Sequence, residues 1–152
     1  MKIRKVGVIG AGQMGAGIAQ VCAGIDKEVI LCDIKEEFVQ NGIKTITSNL
    51  QRSVTKERIS QEKMETILSN VNTTIQNENL SDCDIIIEAI IENVNVKKKL
   101  FADLGQTTKK DAILASNTSS IPIGILAEAS GRQANVVGMH FMNPVPVMKL
   151  VE

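Results

Sequence analysis

The residues best suited to chemistry lie near the end of the chain, around its only histidine, His140. A neutral imidazole takes up a proton near neutral pH, so His140 is the candidate for a general base. Such a base needs an orienting group, and Glu152 is available to accept its second ring N–H. By residue type alone, a lone histidine after an apolar strand is more often structural than catalytic.

Two polar segments accompany this candidate base, and each follows a short apolar run. One is Ser-Asn-Thr-Ser-Ser at 116–120, and the other contains Asn143. Their hydroxyl and amide groups could hold a substrate oxygen, although such a cluster is usually only a turn. Because open parallel sheets bind ligands at the carboxyl ends of their strands, we expect both segments to border one site.

A glycine-rich loop supplies the second chemical feature, the pattern G-x-G-x-x-G between a predicted strand and a predicted helix. The first glycine permits a tight turn, the second lets a pyrophosphate approach the backbone, and the third allows close packing of helix and strand. The phosphates would bind N–H groups at the helix N-terminus. The alternative is a glycine turn that binds something else. The loop residues are Gly10, Ala11, Gly12, Gln13, Met14 and Gly15.

Asp33 strengthens the dinucleotide interpretation, because it follows the second predicted strand, 18 residues beyond Gly15. A carboxylate at that position accepts hydrogen bonds from the hydroxyls of an adenosine ribose. It would repel the 2′-phosphate of NADP, so the sequence favours NAD, although Lys35 weakens this preference. With a nicotinamide as hydride acceptor, His140 would take the proton of an alcohol substrate.

These residues require a scaffold that gathers the carboxyl ends of several strands. Short β-branched segments alternate with segments of helical periodicity, which predicts an α/β, Rossmann-like, doubly wound and mostly parallel sheet with helices on both faces. Strands are predicted at 5–10, 28–32, 71–75, 85–88, 112–116 and 136–140, and another strand-like run begins at 148. Helices are predicted at 13–23, around 39–50, at 60–68, around 96–104 and at 123–129.

Composition argues against several other classes of function. The 17 Lys and Arg residues balance 17 Asp and Glu residues, which removes the electrostatic basis for binding nucleic acid or an anionic membrane. The longest apolar stretch, at 85–91 and interrupted by Glu88, is far shorter than the ~20 residues of a transmembrane helix. Three cysteines without a C-x-x-C pair predict reduced thiols and no zinc site or other metal site. With no signal peptide recognised, the expected location is the cytoplasm.

The motifs together closely resemble the 3-hydroxyacyl-CoA dehydrogenase family. The resemblance covers essentially the whole chain and rests on G-A-G-x-M-G-x-G-I-A, Asp33, I-E-A-I-x-E-N-x-x-x-K, S-N-T-S-S and G-x-H-F-x-N-P-x-P-x-M-K-L-V-E. It implies an NAD-dependent oxidoreductase that interconverts 3-hydroxyacyl-CoA and 3-ketoacyl-CoA, with a short-chain substrate such as 3-hydroxybutyryl-CoA. It also reverses the preference for a structural histidine.

The resemblance implies roles for individual residues. Glu92 and Lys97 match NAD contacts of the family, together with Asp33 and the glycine loop. Without the resemblance, Lys97 would be assigned to a solvated helix face within the lysine run 97–99. The implied catalytic residues are the base His140, its carboxylate partner Glu152, Ser119, which contacts the substrate's 3-oxygen near the nicotinamide, and Asn143, which lies close to substrate and cofactor.

The residues implied for coenzyme A depart from the family pattern at one position. Lys56 aligns with the family's lysine, but Asn49 stands where its serine is expected, with Ser48 beside it. The serine contact therefore stays open. Arg52 and Arg58 are further candidates for the coenzyme's phosphates, and the alternative is an ordinary exposed helix.

A length of 152 residues suffices for one domain with a core, and we expect residues 1–152 to form the NAD-binding domain. The family also has a helical C-terminal domain with further substrate contacts and most of the dimer interface. We therefore expect a truncated chain whose full-length form is a homo-oligomer acting on acyl-CoA. Two alternatives stay open: an isolated NAD-binding module without turnover, and a related 3-hydroxy-acid dehydrogenase whose substrate lacks coenzyme A.

Overall fold

The computed structural model describes residues 2–152 and contains a six-stranded sheet whose neighbouring strands are all parallel. The strands are β1 (Lys5–Ile9), β2 (Glu28–Cys32), β3 (Val71–Thr74), β4 (Ile85–Glu88), β5 (Ile113–Ser116) and β6 (Val136–Gly138). Their order across the sheet is β3-β2-β1-β4-β5-β6. This is the order of a doubly wound dinucleotide-binding sheet, so the predicted fold class is confirmed.

Helices cover both faces of the sheet and create two separate cores. One core joins Val8 of the sheet to Ile18, and the other joins Ile9 to Phe101. Successive strand residues point to opposite faces, which explains why neighbouring residues of β1 belong to different cores. The α-helices are α1 (Gln13–Gly24), α2 (Glu36–Thr55), α3 (Gln61–Ser69), α4 (Val94–Thr107) and α5 (Ile123–Ser130).

The predicted helix patterns correspond to buried faces. The apolar stripe of α2 places Val39, Ile46 and Leu50 in the core, as its spacing predicts. Ser60 caps α3 by accepting the N–H of Lys63 at 3.0 Å. Within residues 2–152, no helix is both long and apolar enough to cross a lipid bilayer.

The segment after β6 differs from the prediction. β6 ends at Gly138, so His140 lies beyond the strand. The strand-like run that begins at 148 does not join the sheet and forms a single antiparallel bridge, from Phe141 to Val151. A turn at Pro144, whose carbonyl accepts the N–H groups of residues 147 and 148 at 3.0 Å, reverses the chain before it can extend. The segment therefore folds back along itself.

The carboxyl ends of β1 and β4 lie side by side at the centre of the sheet. The chain leaves β1 into α1 on one face and leaves β4 into α4 on the other. This divergence opens a crevice, which is where open α/β sheets bind ligands. The fold thus places the glycine loop after β1 opposite the polar segments that follow β4, β5 and β6.

Asp84, just before β4, joins the amino ends of β1 and β4. Its Oδ2 accepts the N–H groups of Arg4 at 2.7 Å and Lys5 at 2.9 Å, and its Oδ1 accepts Lys109 Nζ at 2.5 Å. The hydrogen bond from Lys109, followed by those from the two backbone N–H groups, holds the pKa of the Asp84 carboxyl well below its usual range. The carboxylate form is therefore favoured by folding.

We expect Asp84→Asn to lower the free energy of unfolding at pH 7 by about 1 kcal/mol, because a charged acceptor is lost. A depressed folded-state pKa gives stability that is present above the unfolded-state pKa of ~4 and is lost as the pH falls toward the folded-state value. Urea unfolding at about pH 7 and about pH 3 should therefore show a smaller acid-induced loss in the variant than in the wild type. Asp82→Asn, at an exposed ion pair, is the control and should change stability by less than ~0.5 kcal/mol. Equal acid sensitivity of wild type and Asp84→Asn would contradict the assignment.

Candidate active site

Residues from four sequence motifs line one cavity of about 370 Å³ at the carboxyl ends of β4, β5 and β6. The cavity also borders Met14, at the start of α1. Three of the four residues predicted for catalysis therefore line the same cavity as three residues predicted only for cofactor binding. The predicted residues that line the cavity are Met14, Glu92, Lys97, Ser119, His140 and Asn143.

His140 and Glu152 are paired through both backbone and side chains. The N–H of His140 donates to the carbonyl of Glu152 at 2.8 Å, and the N–H of Glu152 donates to the carbonyl of His140 at 3.0 Å. The imidazole Nδ1 lies 3.4 Å from Oε2 of the carboxylate. A carboxylate beside Nδ1 favours the tautomer in which Nδ1 carries the proton, which leaves Nε2 to accept another. This is the arrangement of a base with its orienting acid.

Asn117 positions the backbone next to His140. Its Oδ1 accepts the N–H of Phe141 at 2.8 Å, and its own N–H donates to the carbonyl of Glu88 at 2.8 Å. The end of β4, the loop after β5 and the segment after β6 are thus hydrogen-bonded in succession. The location of the imidazole therefore depends on the same strands that hold the loop at 116–120.

The 143–146 segment forms a wall of the site together with α1. Gln13 Nε2 donates to Asn143 Oδ1 at 3.2 Å, which leaves the Asn143 Nδ2 to donate elsewhere. At Gly17, an added Cβ would lie 2.8 Å from the Cβ of Val145, so only glycine allows this close approach. The position of Asn143 is therefore set by the helix that begins at the glycine loop.

The glycine loop combines two sterically required glycines with one that faces open space. Gly10 has a φ of +101°, and a Cβ there would lie 2.4 Å from the Ala89 carbonyl oxygen. A Cβ at Gly15 would lie 1.6 Å from the carbonyl oxygen of Gly10. At Gly12, the N-cap residue just before α1, an added Cβ meets no atom of the described chain within 4 Å. Open space over an uncapped helix N-terminus fits a bound pyrophosphate.

Asp33 lies beside this loop in a second cavity of about 500 Å³, which also includes Gly10 and Gly12. Its Oδ2 accepts the N–H of Ala11 at 2.6 Å, and its Oδ1 accepts the N–H of Ile34 at 2.7 Å. A carboxylate accepts about four hydrogen bonds, so capacity remains for ribose hydroxyls. Asp33 thus supports the loop and keeps free acceptor capacity at the cavity.

A partly buried charge network borders the first cavity. Lys97 Nζ lies 2.8 Å from Glu88 Oε1 and 3.0 Å from Glu92 Oε2. The side chains of Lys97 and Glu88 are 1% and 0% exposed. The solvated helix face that residue types alone favour for Lys97 is therefore wrong. The first turn of α4 lies over the end of β4, where a buried carboxylate neutralises the ammonium.

Glu92 connects this network to the loop around Ser119. Its Oε1 accepts the hydroxyl of Thr118 and, at 2.9 Å, that of Ser120. Burial raises its pKa, but hydrogen bonds from Thr118, Lys97 and Ser120 outweigh burial and lower that pKa to about 2. Glu92 is thus a carboxylate at neutral pH, and it holds both neighbours of the predicted substrate serine.

We expect Lys97→Met to lower the free energy of unfolding by about 3 kcal/mol, because Glu88 is left wholly buried without its counter-ion. Urea unfolding followed by circular dichroism measures the loss. The double variant Glu88→Gln/Lys97→Met removes both charges and should recover at least half of it. Lys98→Met, on the exposed face of α4, is the matched control. A loss below ~1 kcal/mol in Lys97→Met would contradict the proposed importance of the ion pair.

The residues implied for coenzyme A are divided between two depressions on α2. Asn49 and Lys56 line a groove of about 270 Å³ together with Arg52 and Arg58. Ser48 lines a different depression, because successive helix residues lie about 100° apart around the axis. The structure therefore groups Asn49 with Lys56 and Arg58 and places Ser48 in the other depression, while Arg52 borders both.

Glu88 and Asn117 are site residues to which sequence reasoning assigned no role. Glu88 had a usable signal, since it is the single charged residue in the apolar run 85–91, and a buried carboxylate requires partners. Asn117 had no local signal beyond its place in a polar loop. Its hydrogen bond depends on which strands become neighbours, and that is decided by the tertiary fold.

The sheet order, the glycine loop and Asp33 define a Rossmann-type dinucleotide-binding domain with a polar cavity at its carboxyl edge. The family model for the 3-hydroxyacyl-CoA dehydrogenase NAD-binding domain matches residues 5–152. The chain belongs to this family. NAD is therefore its cofactor, as the loop and Asp33 predict.

Relatives and solved structures agree with this membership. A probable 3-hydroxybutyryl-CoA dehydrogenase from Deinococcus radiodurans is 51% identical over 148 residues, which cover 97% of this chain and 53% of the relative. The crystal structure of (S)-3-hydroxybutyryl-CoA dehydrogenase from Ralstonia eutropha matches with a TM-score of 0.96 and 41% identity, over 99% of this chain and 53% of that one. A 3-hydroxybutyryl-CoA dehydrogenase from Bacillus subtilis, also described as probable, is 41% identical over 152 residues, which cover 53% of it. The chain thus spans about half the length of these relatives.

Proposed function

We propose that this protein acts in the NAD-dependent interconversion of a 3-hydroxyacyl-CoA and its 3-ketoacyl-CoA, with a short acyl chain such as 3-hydroxybutyryl. One observation carries the proposal: His140, which is paired with Glu152, lines a single cavity with Ser119 and Asn143 beside the NAD loop. The names of relatives at 41–51% identity support the substrate class.

His140 is the proton acceptor of the proposed reaction. In oxidation, its Nε2 takes the proton of the substrate's 3-hydroxyl, while bound NAD supplies the acceptor for the hydride that leaves the same carbon. Glu152 holds Nδ1–H and stabilises the imidazolium that forms. In reduction, the imidazolium returns the proton to the 3-oxygen. The Ser119 hydroxyl and the Asn143 Nδ2 are the donors proposed to hold that oxygen.

The basic groove on α2 is the proposed site for the coenzyme A part of the substrate. Lys56, Arg52 and Arg58 provide positive charge, which suits phosphate groups. The same groove is lined by Pro144 and Pro146, which follow the segment that contains His140. A substrate in the groove would thus lie next to the chain segment that carries the base.

Titration of the 152-residue chain with NADH, together with a turnover assay on acetoacetyl-CoA, tests the proposal. NADH binding measured by calorimetry and loss of NADH absorbance on adding acetoacetyl-CoA are the expected results. Free acetoacetate is the control, because its reduction at a similar rate would point to a substrate without coenzyme A. Absence of NADH binding would refute the proposed function.

A second candidate is an NAD-binding module without turnover. The chain spans about half the length of its relatives. We propose that the remaining length of such relatives carries a helical domain. This domain would complete the substrate site and form most of the interface of a homo-oligomer. NADH binding without turnover of acetoacetyl-CoA would support this candidate, and robust turnover would exclude it.

We also propose a cytoplasmic location. Cys22, Cys32 and Cys83 are all free thiols, and the last two are buried. Burial raises the pKa of the Cys22 thiol to about 11, which keeps it protonated and unreactive at neutral pH. Such thiols fit a reducing compartment. Fractionation of cells that express the protein tests the location.

A further inference from the structure

We propose that the charged cluster of Glu88, Lys97 and Glu92 sets the preference of the cofactor site between oxidised and reduced NAD, and that Glu88 carries the decisive charge. The inference rests on the proposed function, because it concerns the NAD site. The cluster holds two carboxylates against one ammonium. It therefore brings one net negative charge to the wall of the cavity.

The charge of Glu88 follows from its surroundings. Its Oε1 accepts Lys97 Nζ and the N–H of Ile90, both at 2.8 Å, and its Oε2 accepts the hydroxyl of Ser116 at 2.6 Å. The side chain is 0% exposed. Three donors directed at one buried carboxyl group are the environment of an ionised carboxylate.

The cluster lies on the half of the site that the nicotinamide would occupy. Asp33 and the cavity beside it mark the adenosine half, next to β2. Glu92 and Lys97 line the other cavity together with His140. The nicotinamide ring is positive in NAD⁺ and neutral in NADH. A net negative charge in this wall therefore stabilises the oxidised form relative to the reduced form.

Glu88 is the member of the cluster whose electric field is least screened by water and salt. The side chain of Glu92 is 42% exposed, so water and salt weaken its effect. Glu152, beside His140, is 64% exposed. Glu88 has no exposed surface, and its negative charge acts through the protein interior. Removing that charge should alter the affinity for NAD⁺ more than the affinity for NADH.

If Glu88 had a purely structural role, a different result would be expected. Glu88 also anchors Ser116 and Lys97, so loss of its hydrogen bonds would disturb the site and weaken both forms of the cofactor together. The ratio of the two dissociation constants separates these cases, because only a charge effect changes it.

Glu88→Gln tests the proposal, since it keeps the side-chain shape and removes the charge. Calorimetric titration with NAD⁺ and with NADH gives the two dissociation constants. One elementary charge acting over roughly 10 Å at an effective dielectric constant of ~20–40 changes an equilibrium about 4- to 16-fold. We expect the ratio of Kd for NAD⁺ to Kd for NADH to rise by that factor. Ser116→Ala removes a hydrogen bond to Glu88 without changing charge, and it should leave the ratio within about twofold.

The titrations distinguish a failure of this inference from a failure of the proposed function. A folded Glu88→Gln that shifts the ratio less than about twofold overturns the inference and leaves the proposed function standing. If Glu88→Gln does not fold, Glu92→Gln replaces it, because that side chain is partly exposed, and it must shift the ratio in the same direction. If the wild type binds neither NAD⁺ nor NADH, the proposed function itself fails.

Discussion

Gly12→Asp is expected to lower the affinity for NADH at least 100-fold without destabilising the protein. A Cβ at Gly12 meets no atom of the described chain within 4 Å, so the side chain occupies only the space over the start of α1. Aspartate is a preferred N-cap residue and interacts favourably with the helix dipole, which should raise the free energy of unfolding by about 0.5 kcal/mol. The same carboxylate repels a pyrophosphate and competes for its N–H donors. Calorimetric titration with NADH and thermal unfolding measure the two effects.

Two glycine variants serve as controls for this prediction. Gly12→Ser supplies a cap without charge and should weaken NADH binding less than Gly12→Asp does. Gly24→Ala, at the other end of α1, also meets no described atom within 4 Å and should leave NADH binding unchanged. Tight NADH binding by Gly12→Asp would place the pyrophosphate away from this helix terminus.

His140→Gln is expected to lower turnover of acetoacetyl-CoA by about 10²–10⁴-fold, which is the usual contribution of a general base. Glutamine retains a polar group beside Glu152 but cannot accept and return a proton. The fold and the NADH affinity should change little, within about threefold, because the imidazole is partly exposed and lies outside the strands. The turnover number, measured in a form of the protein that is active, together with the NADH dissociation constant provides the test.

The partner carboxylate gives the control for this second prediction. Glu152→Gln should reduce turnover less than His140→Gln, because it removes only the orientation of the base. The double variant should resemble His140→Gln, since a carboxylate that acts through the imidazole has no effect without it. A fall of less than about tenfold in His140→Gln would show that another group accepts the proton.

The fold was largely predictable from local sequence. Each strand is a short run rich in apolar or β-branched residues, and the stripe on α2 follows a helical period, so element type depended on neighbours within a few residues. The glycine loop was predictable for the same reason: the φ of Gly10 and the contact of Gly15 with its carbonyl arise within six residues of chain. The strand-like run that begins at 148 did not form the expected strand. The turn at Pro144, and not the residue pattern of the run, determines how it pairs.

The sequence predicted which residues could belong to the candidate site, but it did not predict how those residues are arranged in space. Residue types and the family resemblance made His140, Glu152 and Ser119 candidates, and the cofactor that they indicated, NAD, is confirmed. They left Lys97 ambiguous between a solvated face and a cofactor contact. Its environment is created by Glu88, nine positions earlier and on a different element, and such burial cannot be read from a lysine run.

Local sequence was thus enough to predict the class of domain, its cofactor and the residues whose side chains could take part in chemistry. These features depend on periodicity and on motifs of contiguous residues. The tertiary structure alone decided which of those residues lie together. It brought His140 alongside Glu152, buried Lys97 between two carboxylates, and separated Ser48 from Asn49. The physical reason is that hydrogen bonds, burial and charge pairing are set by neighbours in space, and strand order and chain reversal determine those neighbours only after the whole domain has folded.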